Sequence, residues 1–154
     1  MLVAPVDALY VWIGLTAASV ALFGVVSAVP AAPPPDADGA AGTVDRVAAS
    51  QYAAVGEHPM TNAHAVRVGA DTISLRGPGG VADATIGYGP VVSADRESLR
   101  RVLLGEPPER VFASPAAFEA EIERAHAGAP EWHETDRLVV RRVSWEGTDV
   151  TLVG

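Results

Sequence analysis

The sequence predicts an α+β protein: an N-terminal transmembrane helix, then a small domain whose mostly antiparallel sheet of about five strands carries two to three helices on one face. Three observations lead there. An apolar run without a single charge extends from Ala8 to Val29. Beyond residue 43 the apolar positions switch between a helical and a strand period. The stretch RLVVRRVSWEGTDVTLVG has the pattern of a hairpin.

As a helix rising about 1.5 Å per residue, the segment 8–29 spans roughly 33 Å, the thickness of a bilayer's hydrocarbon core. A soluble helix apolar on all sides needs a larger protein around it than the remaining chain supplies. A cleaved secretory signal is the rival reading, because VSA ending at Ala28 offers small residues for cleavage. MLVAPVD, however, carries Asp7 in place of a basic n-region, and the run is longer than a usual signal core, so a retained anchor is favoured. Tyr10 and Trp12 suit an interfacial aromatic belt. Arg46 is the one nearby basic residue, so the positive-inside rule says little about orientation, and the domain is assigned to the outer face of the cell membrane. Gly14 with Ala18 and Gly24 with Ala28 have small-xxx-small spacing, which makes them candidate helix-packing positions in the bilayer.

Residues 30–42, PAAPPPDADGAAG, read as a linker, extended by Pro33, Pro34 and Pro35 and ended by glycines. Asp36, Asp38 and Gly39 lack the further ligands of a calcium loop. The organisation expected is a tail at 1–7, a transmembrane helix at 8–29, a linker at 30–42 and an extracytoplasmic α+β domain at 43–154. Within that domain Thr43 can cap a helix bearing Val44, Val47, Ala48, Tyr52 and Val55 on one side, with Gly56 as its stop. Val66 and Val68 alternate with Arg67, and Ile73 and Leu75 with Thr72, Ser74 and Arg76, as half-buried strands do. RGPGG marks a turn before a third strand through Ala82, Ala84 and Ile86. Leu99, Val102 and Leu103 then share a helical face that stops at Gly105. Ser114 and Pro115 start a further helix with Phe118, Ile122 and Ala125 on one side. In the final hairpin Val143, Trp145, Val150 and Leu152 fall on one face for a turn of either two or four residues.

Composition narrows the function classes. Nineteen acidic residues oppose 11 basic ones, a net charge of −8, and every basic residue is Arg. Such a surface suits high salt, where carboxylates keep a protein hydrated, and it argues against nucleic acid, because no basic stripe offsets the repulsion of phosphate. With no cysteine, disulfides and thiolate chemistry are excluded. His58, His64, His126 and His133 lack metal-ligand spacing, and Glu131, His133 and Glu134 read as a solvated loop. GPGG lacks the Lys and Ser/Thr of a phosphate loop, and no serine lies in a nucleophile elbow. No catalytic residue, cofactor or metal is therefore assigned. Trp132 and Trp145 are the candidate interaction residues, since aromatic side chains concentrate binding energy.

PVDALYVWIGL, APPPDA, PPERVFASPAAF and DRLVVRRVSWEGTDVTLV together resemble a family of small uncharacterised haloarchaeal membrane-anchored proteins. The resemblance implies association with type IV pilus-like or secretion machinery, as a minor pilin-like or assembly component. MLVAPVD lacks the basic residues and glycine that precede a pilin's apolar run, and Pro30 to Pro35 interrupt a continuous filament helix, so an accessory component fits better than a filament subunit. The function expected is a non-enzymatic single-pass membrane protein presenting a small acidic interaction domain to the bilayer's surroundings and to pilus-like protein partners. The alternative is a secreted or anchored enzyme or small-ligand-binding domain whose site is assembled from distant residues. The acidic surface generates a test: the domain is expected to melt higher in molar salt than in dilute buffer, because screening relieves carboxylate repulsion. Circular dichroism across a salt titration checks this, and equal melting temperatures would refute it.

Overall fold

The structure, a computed structural model, describes Ile13, Leu15, Thr16 and residues 32–154. The chain divides into two units, Met1–Ala31 and Ala32–Gly154, and every element below belongs to the second. The tail 1–7 and the segment 8–29 read as a transmembrane helix thus lie outside the described residues, apart from those three positions. Among the described residues no helix is long and apolar enough to cross a membrane.

In chain order the elements are α1 (Ala37–Ala48), β1 (Ala54–Pro59), β2 (Ala65–Val68), β3 (Thr72–Gly77), β4 (Gly80–Thr85) and β5 (Val91–Ser93). Then come α2 (Glu97–Leu103), α3 (Pro108–Val111), α4 (Pro115–His126), β6 (His133–Glu134), β7 (Arg137–Trp145) and β8 (Thr148–Val153). The expected single sheet of about five strands is corrected by the pairing, which makes two four-stranded sheets, β1-β7-β8-β5 and β4-β3-β2-β6. Alternation encodes a strand's two faces but not its neighbour. Three strands also carry little alternation to read: AVGEHP in β1, VVS in β5 and the dipeptide His133–Glu134 in β6. Among the described strands only β5 with β8 is parallel.

Nor do the helices keep to one face, because the first sheet is covered on both. Leu138, Val139 and Val140 of β7 form the continuous buried run of a strand with no solvent side. Leu138 and Val140 join a core with Val44 and Val47 of α1 and with Val66, Ile73 and Leu75 of the second sheet. Val139 and Val143, pointing the other way, pack with Val150 and Leu152 against Leu99 and Val102 of α2 and Phe118 and Ile122 of α4. The face shared by Val143, Trp145, Val150 and Leu152 is the one read from the sequence. Its register, Val143 opposite Val150 and Trp145 opposite Thr148, leaves Glu146 and Gly147 as a two-residue turn with φ of 50° and 90°.

Adjacent arginines of β7 follow the same parity. Arg142 donates to the carbonyl of Ala48, at the end of α1, over 2.8 Å. Arg141 donates to the carbonyl of Leu103, at the end of α2, also over 2.8 Å. Each cation meets the negative end of a helix dipole and satisfies a carbonyl with no partner inside its helix. Helix α2 closes with a Schellman pattern: the N–H of Gly105 donates to Val102 O and that of Glu106 to Arg101 O, both at 3.0 Å. The side chains of those outer two residues pair as well, and the hydrogen bond from Arg101 holds the Glu106 carboxyl below its ordinary pKa. Glu121 of α4, buried and outside the face read from sequence, accepts from Ser98 Oγ of α2 at 3.0 Å and pairs with Arg124.

Helix α1 starts seven residues before the position a Thr43 cap would give it. Asp36 is its cap, with Oδ1 accepting from Gly39 N at 2.9 Å, so residues 37–42 are helix and not linker. Two glycines weigh against that by propensity, but Ala37, Ala40 and Ala41 are buried, and packing overrides propensity. The helix ends at Ala48, leaving Tyr52 and Val55 exposed instead of on its apolar side. Gly56 is no helix stop but a strand residue, where a Cβ would stand 2.8 Å from Val47 Cγ2 and hold α1 off the sheet.

The two sheets meet at a corner where one two-stranded ribbon passes from each to the other. β1 pairs with β7 in the first sheet, and β2 with β6 in the second. Between them Met60 N donates to Asp136 O at 3.2 Å and Thr135 N to His64 O at 3.0 Å, so the ladder turns the corner bonded. A fragment beginning at residue 43 loses the Asp36 cap and three buried alanines. Its unfolding free energy is expected to fall below that of residues 32–154 by about 2 kcal/mol or more, measured by chemical denaturation. Equal stability would show the first turns of α1 to be dispensable.

Candidate functional site

Antiparallel register brings together two side chains that the sequence treats as the ordinary polar positions of separate strands. Arg67 lies opposite Ser74, and Ala65 opposite Arg76, so both arginines stand on one face of the second sheet. It is the face away from Val66, Val68, Ile73 and Leu75, which point into the core. Trp132, one residue before β6, completes the group. The guanidinium carbons of Arg67 and Arg76 lie 4.7 and 4.0 Å from the centre of its ring. Each contact is worth roughly 0.5 to 2 kcal/mol, depending on desolvation. Ala65 and Ser74 share that outer face but are 3% exposed, because the stacked side chains cover them. Arg67 Nη2 also donates to Ser74 Oγ at 3.2 Å, whereas Arg76 remains exposed.

Stacking uses the flat face of a guanidinium and leaves its N–H edge free. Among the described residues neither Arg67 nor Arg76 has a carboxylate within ion-pair distance, while Arg101, Arg124 and Arg137 each have one. On an acidic chain this sets two cations without an ion-pair partner over one indole, on a face that Asp83 and Glu134 share by register. The sequence singles out Trp132 as a candidate interaction residue and does not single out the two arginines that stack on it. Their signal was present as polar positions on neighbouring strands, and it needed the register to become a site.

A cleft of about 190 Å³ lies where the sheets meet, and its charged lining is Asp95, Arg100, His133, Glu134, Asp136 and Arg137. His133 faces the core side of β6, with Nε2 2.9 Å from Asp95 Oδ1. The distance suits an ion pair, but the angle is not that of a hydrogen bond, so this buried ring nitrogen has no hydrogen-bond partner. The same Asp95 oxygen accepts from Ser93 Oγ. Serine, carboxylate and imidazole are thus present in the wrong order for a nucleophilic triad, in which the imidazole must lie between the other two to take the hydroxyl proton. Here the carboxylate lies between them, and Ser93 is not activated. Among the described residues no three His, Cys, Asp or Glu side chains converge as a metal site.

Trp145, the other candidate, is half-buried and packs against the core formed by α2, α4 and the hairpin. Its ring centre is 5.9 Å from that of Phe118, which in turn lies 5.1 Å from Phe112, both pairs tilted at 52°. Gly14, Ala18, Gly24 and Ala28 lie outside the described residues.

Fold and site define a two-sheet α+β domain with an aromatic, arginine-flanked platform on one sheet. The chain belongs to the family of unknown function DUF7283, whose model matches residues 3–143 and so spans both the apolar segment and the platform. No curated protein and no solved structure matches it.

The two tryptophans should separate by experiment. Trp145→Ala is expected to destabilise the domain by about 3 kcal/mol, the low end for truncating a buried aromatic, because the ring is partly exposed. Trp132→Ala should cost about 1 kcal/mol, from the cation–π contacts. Denaturant titration of both variants decides, and the reverse order would put Trp132 in the core and Trp145 on the surface.

Proposed function

We propose that this chain is a non-enzymatic interaction protein, tethered at the membrane by its apolar segment 8–29, which presents the acidic domain and docks a protein partner on the Arg67–Trp132–Arg76 platform. The observation that carries the reading is the pair of guanidiniums stacked on one indole with no carboxylate partner among the described residues. Stacking on Trp132 fixes both long side chains before a partner arrives, which lowers the entropy lost on binding. The lysine-free acidic composition supports a haloarchaeal source. The resemblance to small membrane-anchored haloarchaeal proteins supports an accessory role in a pilus-like or secretion apparatus, with the domain on the outer face of the cell membrane.

A second reading, a small-ligand-binding or enzymatic domain, draws on the cleft and on the His133 ring nitrogen in it, which lies beside Asp95 without a hydrogen bond. The order of Ser93, Asp95 and His133 weighs against hydrolytic chemistry there. Affinity purification from detergent-solubilised native membranes tests the leading reading, with partners identified by mass spectrometry. Wild-type bait is expected to retain at least one membrane or surface-apparatus protein that Trp132→Ala bait loses. Recovery of the same proteins by both baits would remove the platform from the docking surface.

A further inference from the structure

The partner's chemistry follows from what the platform offers and what surrounds it. Arg76 is exposed, and Arg67 is half-buried with one of its five N–H donors on Ser74 Oγ, so two guanidinium edges with unspent donors stand over one ring. A fork of this kind matches the two oxygens of a carboxylate or phosphate, and two forks match two such groups spaced along one segment. The surroundings restrict the choice further. By register Asp83 shares this face opposite Ser74, and Glu134 shares it opposite Ala65. The chain as a whole carries −8. An anionic bilayer is an extended negative plane and would meet all of these charges together, whereas a narrow segment bearing acid groups meets only the forks.

We propose that the Arg67–Trp132–Arg76 platform binds an acidic polypeptide segment, each guanidinium edge taking one of its carboxylates while Trp132 holds both cations in place. This rests on the reading of the platform as the docking surface and names the chemistry it selects. Affinity comes from charge-assisted, bidentate hydrogen bonds, so it falls with added salt but depends on the fork as well as on the charge.

The test uses the full chain in nonionic detergent and a fluorescein-labelled hexaglutamate peptide, with hexaglutamine as control, read by fluorescence anisotropy. Saturable binding of hexaglutamate and none of hexaglutamine is expected. Arg76→Gln should weaken it about tenfold, the loss of one bidentate charged pair. Arg110→Gln, on α3, should leave it unchanged. Arg76→Lys keeps the charge and loses the fork, so it is expected to bind several-fold more weakly than wild type, and it guards against misfolding of the glutamine variant. Equal losses for Arg76→Gln and Arg110→Gln, or full affinity in Arg76→Lys, would reduce the effect to net charge and overturn the proposal. Absence of hexaglutamate binding, or binding to phosphatidylserine vesicles alone that Arg76→Gln abolishes, would also overturn it. If hexaglutamate fails while Trp132→Ala still loses its membrane partner, the docking surface stands and its acidic chemistry does not.

Discussion

The rest of the domain depends on β7 being buried on both faces. A strand in that position cannot alternate apolar with solvated residues, and Leu138, Val139 and Val140 accordingly do not. The two adjacent arginines that follow would then be costly, since a buried charge without a partner destabilises by several kcal/mol. Each is instead led along the sheet to a helix terminus, Arg142 to α1 on one side and Arg141 to α2 on the other. The pair thereby fixes where both helices end relative to the same strand. Layer order, helix placement and the close approach at Gly56 are consequences of that one arrangement.

Much of the second half of the domain was legible in the sequence because its signals are local. The Ser114 cap with Pro115, the stop at Gly105 and the shared face of Val143, Trp145, Val150 and Leu152 each depend on residues within a few positions of one another. The separation into two sheets was not legible, because it is decided by which distant strands pair. The beginning of α1 was missed for a related reason. PPPDADGAAG has the composition of a linker, and the burial of Ala37, Ala40 and Ala41 against strands far along the chain, with the Asp36 cap, makes it a helix from Ala37 onward.

The candidate site shows the same division. Trp132 could be singled out alone, as aromatic residues in polar loops can be. Arg67 and Arg76 could not, since nothing in either strand distinguishes them from solvated alternates until β2 and β3 are set side by side. Arginine serves two opposed ends in this fold. At β7 it is spent on backbone carbonyls inside the structure, and at the platform its hydrogen-bonding edge is kept outside. With no lysine anywhere, all of the chain's cationic side chains are planar donors suited to both tasks.

The bonded corner sets the tempo of folding. Hairpins β3–β4 and β7–β8 join neighbours in sequence and can close within microseconds. Pairing Ala54 with Arg142, or Val66 with His133, requires most of the domain to be drawn into one loop first, an entropy loss that precedes any reward in contacts. The two hairpins are therefore early and the corner is late. Until it closes, β7 exposes an edge and two apolar faces, so the interval before closure is when the chain is most open to association with others of its kind.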